Sequence, residues 1–221
     1  MSQQPTKAEL DAHCRRTLEL KKSIDQLTTH VEVTYGMYMD SVRGWGEIVK
    51  LLEQAVDESV AQGNPREAVL SSTLIHGDGR YEDGKFLHRS PIGERIAACR
   101  VGGANEAALS SLCLVSIYAF WEDNTRGAIA RALGVELNDV MSPLFGDIRA
   151  MRHSILHMGG IMDRRGANAL RVLKWFREGQ RIVLTQRHFH EMVLRLRDFP
   201  TGLITPTYNP FPSITGKGEG G

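Results

Sequence analysis

Leu144 to Ile161, LFGDIRAMRHSILHMGGI, is the stretch whose reading decides both the fold and the candidate site. Leu144, Ile148, Met151, Ile155 and Met158 recur at steps of three and four, the spacing of one apolar stripe on a helix. At about 100° per residue, Arg149, His153 and His157 fall on the opposite side, with Arg152 at the edge between them. Gly159 and Gly160 are expected to stop the helix just after His157. A helix that buries one side and gathers two arginines and two histidines on the other is a candidate site.

The rest of the chain is read outward from there. Its 221 residues are enough to bury a real core, and the 42% hydrophobic content is ordinary for a globular protein. Net charge is +1, so the whole-chain balance names no partner. The distribution says more: Met141 to Pro200 holds 11 Lys/Arg against 5 Asp/Glu, whereas Met1 to Val140 holds 15 against 20. The basic bias coincides with the Arg/His helix, as an anionic ligand such as RNA would favour, although solvated arginine-rich helix faces look the same. Cys14, Cys99 and Cys113 show no CxxC spacing, which excludes a disulfide framework and a zinc site of cysteines. Cys113 lies in an apolar run and is read as a buried thiol. MSQQPTKAEL lacks the apolar core of a signal peptide, and the longest apolar stretch, Ala107 to Trp121, is too short and serine-rich to span a bilayer. The expected setting is a reducing cytoplasm with no membrane association.

Upstream, a helix is expected from Thr6 to about Tyr35, with Thr6 and Glu9 as a capping box. Gly36, Gly44 and Gly46 should interrupt it, and a second helix should run from Trp45 to Gln62, ended by Gly63-Asn64-Pro65. Asn64 to Gly103 is dominated by turn chemistry, with some ordered pieces or a functional loop expected in it. Its HGDGR (His76 to Arg80) fits neither phosphate-loop pattern and is given no role. Asn105 to Leu133 is the strongest helix, apolar on more than one face and ended by Gly134. A helical turn over Glu136 to Met141, a short helix over Asn168 to Phe176, a strand at Arg181 to Leu184 and a helix from Gln186 to Arg197 capped by Thr185 complete the pattern. The fold class predicted is all-α: one helical domain over 1–200, made of helices at 6–62, an irregular connector at 63–103 and a core at 104–199. A flexible tail over 201–221 follows, rich in Pro and Gly.

Arg-x4-His alone, here Arg152 to His157, is a weak pattern. Its setting adds more. LVSIYAFWEDNTRGAIA, about twenty residues, then LFGDIRAMRHSILHMGGI resembles the HEPN family (higher eukaryote and prokaryote nucleotide-binding domains). There an aromatic-Trp-Glu helix, like Tyr118-Ala119-Phe120-Trp121-Glu122, precedes an Arg-x4–6-His helix. KWFREGQRIVLTQRHFHEMVLRL is similar to the turn and closing helix of such proteins, so the resemblance covers about Ala104 to Phe199. It implies a helical bundle that forms a homodimer, and in many members a metal-independent endoribonuclease whose two motif helices share one cleft. Arg152 and His157 take the catalytic positions. His153 stands where asparagine is commonest, and Gly159 where the members paired with nucleotidyltransferase antitoxins tend to have tyrosine. Both are departures, and the second weighs against regulation through a motif tyrosine.

The chemistry suits these residue types. RNA carries its own nucleophile, the 2′-OH, and imidazole titrates near neutrality, so it can take or give a proton. Arginine stays charged and forks onto two phosphate oxygens. No metal and no cofactor is needed, and products with 2′,3′-cyclic phosphate and 5′-hydroxyl ends are expected. His153, Arg149, Glu122 and Arg126 are the supporting or RNA-binding candidates, and the resemblance adds a neutralising antitoxin or defence-system protein to the expected partners. Each has a plainer reading. His157 can simply favour the helix dipole, Arg152 can pair with Glu122 or Asp123, and Glu122 can orient Arg152 or His157 or be a surface charge. His153 and His157 at i,i+4 can hold a metal only with a third ligand, and none is evident. Tyr118 and Trp121 are read as core aromatics, His188 and His190 as surface residues. The competing function is a non-catalytic helical dimer of the same fold that binds RNA or protein.

Overall fold

The structure, a computed structural model, describes residues 6–76 and 88–197. The expected flexible tail at 201–221 and most of the HGDGR segment lie outside the described residues, as does the side chain of Glu9 in the expected capping box. The described chain is all-α apart from one small hairpin. Its helices are α1 (Lys7–Ala61), α2 (Arg66–Ser71), α3 (Ile92–Cys99), α4 (Ala104–Phe120), α5 (Arg126–Leu133), α6 (Pro143–His157), α7 (Arg164–Ala169) and α8 (Gln186–Arg197). Strands β1 (Thr73–His76) and β2 (His88–Pro91) pair antiparallel, Thr73 opposite Pro91 and His76 opposite His88. Among the described residues no helix is long and apolar enough to cross a membrane.

The described chain divides into two compact units. One comprises 6–34, 114–182 and 190–197, and carries every candidate site residue. Leu27, Val31, Leu114, Ile117, Trp121, Ile129, Ile148, Met151, Met162, Leu173 and Met192 fill its core. The other comprises 35–76, 88–113 and 183–189, built around Tyr38, Val56, Ile96, Cys99, Cys113, Leu184 and Phe189. There the Tyr38 ring stacks on Phe189 at 4.8 Å between centroids. Its hydroxyl donates to the buried Glu106 carboxylate at 2.7 Å, which also accepts the Gly102 N–H at 2.7 Å. Burial first, then the hydrogen bond and charge of Glu106, push the Tyr38 phenol above its ordinary pKa. Cys113 is the buried thiol expected, and burial pushes its pKa up to about 11.

Four local expectations are corrected. First, the N-terminal helices are one helix. Gly36, Gly44 and Gly46 do not interrupt α1, because glycine weakens a helix by about 1 kcal/mol relative to alanine but does not forbid it. Packing decides: Tyr38, between the first two glycines, is fully buried. The helix stops where expected, at Gly63, whose φ of +94° is a left-handed turn. Second, the helix expected over Asn105 to Leu133 is not uniformly α: Trp121–Thr125 forms a π-helical turn between α4 and α5. Third, the short helix expected at Asn168 to Phe176 lies earlier, at Arg164–Ala169, where Asp163 caps it by accepting the Gly166 N–H at 2.8 Å. Fourth, Arg181 to Leu184 is no strand; Arg181 forms a single bridge to Ile161. The connector at 63–103 holds ordered pieces, namely α2, the hairpin and α3.

Gly44 is exposed, helical, and has open space where a Cβ would stand. Gly44→Ala therefore raises stability by about 0.5–1 kcal/mol. The check is the denaturant midpoint; an unchanged or lower midpoint contradicts a continuous helix through this residue.

Candidate functional site

Ser142 starts α6 by accepting the Phe145 N–H at 3.3 Å, and Pro143 occupies the first turn, where its missing N–H costs nothing. At the other end the Ser154 carbonyl accepts N–H bonds from Met158 and Gly160 (3.1 and 3.0 Å), and Gly159 and Gly160 take positive φ of +61° and +78°. The buried face is wider than the expected stripe and shifted toward the helix start. Leu144, Phe145, Asp147, Ile148, Met151 and Ser154 are buried, Ile155 is half-buried, and Met158 is 45% exposed. Trp121, of the π turn, stacks on Phe145 at 4.1 Å. Tyr118 and Trp121 are core aromatics as expected, 8% and 2% exposed.

Four of the six candidate residues line one polar cleft of about 470 Å³: Glu122, Arg126, Arg149 and Arg152, with Tyr118 beside them. Glu122 orients neither Arg152 nor His157. Its carboxylate pairs with Arg126 at 2.8 Å and accepts the Tyr118 hydroxyl at 3.2 Å. Arg126 also donates from Nε to the Val140 carbonyl at 3.2 Å, so its charge is spent within the fold. Arg152 pairs with no carboxylate among the described residues. Its guanidinium lies over the Tyr118 ring, 5.3 Å from the centroid, and its Nε is buried without a hydrogen-bond partner. Arg149 is exposed and unpaired among the described residues. The Tyr118 phenol titrates above its ordinary value. Burial raises it most, then the Glu122 charge and hydrogen bond, against the lowering pull of Arg149 and Arg152.

The two histidines stand elsewhere on α6. His153 and His157 are exposed, their rings 5.0 Å apart and tilted by 44°. His153 shares a second cleft, of about 430 Å³, with Arg149 and Arg165. His157 lies in the last turn and is not among the residues lining either cleft. It stands five positions after Arg152, about 140° around the helix axis. Among the described residues no group of three or more His, Cys, Asp or Glu gathers as a metal site would require. Of the later histidines, His190 is exposed, whereas His188 is half-buried and its Nδ1 accepts the Thr185 N–H at 3.3 Å at the start of α8.

Asp147 escaped the sequence reading. Its carboxylate is fully buried and accepts three successive backbone N–H groups, from Arg171 at 2.8 Å and from Val172 and Leu173 at 2.6 Å each. These amides follow the end of α7, where the helix supplies no carbonyl for them. The signal was present: an acid set beside the apolar stripe of a helix is buried, and needs partners.

Comparison with protein-family models, with curated proteins and with solved structures returns no match to this chain. The fold and the site therefore define it by themselves: a helical protein with an arginine-lined polar cleft and an exposed histidine pair on one helix.

Removing the Asp147 carboxylate strands three amides at once. Asp147→Ala lowers unfolding free energy by about 3–5 kcal/mol. A loss below about 1 kcal/mol in urea unfolding, with the cooperativity unchanged, contradicts the role assigned to this carboxylate.

Proposed function

We propose that this chain is a metal-independent endoribonuclease of the HEPN type, working in the cytoplasm as a homodimer, in a toxin or phage-defence setting. The observation that carries the reading is Arg152. A guanidinium with a buried, unpartnered Nε and no carboxylate partner among the described residues is costly to keep in a folded chain. Arg152 lines the cleft, so an anion entering there meets a positive charge that no carboxylate among the described residues answers. Phosphate suits it, because a planar fork can donate to two of its oxygens.

In this reading Arg152 and Arg149 hold the reacting phosphate and stabilise the charge that grows on it as the 2′-oxygen attacks. His157 supplies the proton transfers: one imidazole takes the 2′-hydroxyl proton and another gives a proton to the departing 5′-oxygen. Phosphorus gains its bond to O2′ and loses its bond to O5′, leaving a 2′,3′-cyclic phosphate and a 5′-hydroxyl. Two imidazoles at the motif position require two chains. The placement of His157 is in keeping with this, since it is exposed outside the cleft lined by its own Arg152. Leu156 and Met158 on either side of it are 48% and 45% exposed, an apolar edge of the kind a second copy covers.

Purified protein incubated with total RNA in EDTA should cleave it and leave cyclic-phosphate ends. His157→Ala should lower the rate by at least about a hundredfold while keeping the helicity of the parent. Cleavage by the variant at the parent's rate, or cleavage that stops on chelation and returns with added metal, overturns the mechanism. Sedimentation at assay concentration should give twice the 24.6 kDa chain mass; a single-chain mass throughout argues against the shared site.

A further inference from the structure

We propose that the second cleft, where Arg149, His153 and Arg165 converge, binds a neighbouring phosphodiester of the same RNA strand, so that α6 and α7 together track the backbone away from the reacting phosphate. This deepens the ribonuclease reading and rests on it. Arg149 lines both clefts, the one holding Arg152 and the one holding Arg165. It is therefore the group that two successive phosphates would share. His153 touches the same cleft, and its ring lies against that of His157, which ties this cleft to the catalytic end of the helix.

The charge balance favours an anion. Arg149 and Arg165 are exposed and form no ion pair among the described residues. Elsewhere in the same unit Arg126, Arg195 and Arg197 pair with Glu122, Glu191 and Glu32, whereas Arg131, Arg164, Arg171 and Arg177, like Arg149 and Arg165, form no ion pair among the described residues; what marks Arg149 and Arg165 is that they line one cleft. The lone carboxylate lining the cleft, Asp163, is already engaged: its Oδ1 accepts the Gly166 N–H at 2.8 Å. Gly166, in the cleft wall, is buried, and a Cβ there would stand 2.7 Å from Asp163 Oδ1 and 2.8 Å from the buried Met162 Sδ, so close packing behind the cleft holds the start of α7, and Arg165 with it, against α6. Two forked cations with one engaged carboxylate suit a phosphodiester. Because one of those cations also serves the first cleft, a chain of phosphates fits better than a free ion.

The test is binding of a short fluorescent single-stranded RNA to the full chain carrying His157→Ala, followed by anisotropy across a salt series. A dinucleotide with one phosphodiester serves as the control. Adding Arg165→Gln should weaken oligonucleotide binding several-fold and reduce the slope of log affinity against log salt by about 0.7, the loss of one single-strand phosphate contact. Arg165→Lys should keep the slope, and dinucleotide binding should stay as it is. Oligonucleotide binding with the same affinity and slope in Arg165→Gln overturns this inference and leaves the ribonuclease reading standing. Equal weakening for the dinucleotide also overturns it, by moving Arg165 to the reacting phosphate. Absence of RNA binding in both chains overturns the ribonuclease reading, and this inference with it.

Discussion

The buried carboxylate of Asp147 is the constraint on which the site-bearing unit depends. A carboxylate at zero exposure is among the most costly groups a fold can contain, and it persists only when hydrogen-bond donors replace the water it has lost. Here the answer comes from three consecutive amides just past α7, a stretch that has no ladder of its own. One side chain thus satisfies itself and a piece of irregular backbone together. The partnership fixes where the chain runs after α7, and with it Leu173, fully buried, and Phe176, 8% exposed. It also ties that backbone to the buried face of α6, which Asp147 shares with Leu144, Phe145, Ile148, Met151 and Ser154. Arg149 and His153 stand on the other side of the helix, exposed.

The arginines illustrate a second principle. Arg126 and Arg152 line the same cleft, yet Arg126 is joined to Glu122 and to the Val140 carbonyl while Arg152 rests on an aromatic face with an unanswered Nε. Residue type and proximity do not separate a structural cation from an available one. The separation comes from counting who accepts each donor. By that count Arg126 belongs to the architecture of the α5 region, and Arg149, Arg152 and Arg165 form no ion pair among the described residues.

Much of this was legible in the sequence, for physical reasons that differ from residue to residue. The helical class and the bounds of α6 and α8 followed from periodicity and from strong punctuation: Ser142-Pro143 in front, Gly159-Gly160 behind, Thr185 before α8. The division of α6 into a buried and an exposed side followed from the same count, whereas the meeting of Glu122 and Arg126 with Arg149 and Arg152 in one cleft did not. What stayed hidden depended on long-range partners. Nothing local shows that Gly36, Gly44 and Gly46 would be carried through a helix by the burial of Tyr38. Nothing local shows that Glu122 would choose Arg126 over Arg152. The partners of Asp147 lie 24 to 26 residues away, past a helix and two turns. Spacing along the chain predicts which face a residue takes, and packing decides what it meets there.

The π turn at Trp121–Thr125 carries a consequence for how this chain can change over evolution. Such a turn holds about one residue more than an α turn at the same place, and the surplus is absorbed without breaking the helix. Loss of a single residue there would restore regular winding and leave α5 close to its present phase on α4, because the surplus residue is taken up within the one widened turn. The contacts that would change are those of the turn itself, Trp121 on Phe145 and Glu122 on Arg126. A change of one residue within WEDNT is thus felt at the cleft wall rather than along the whole of α5.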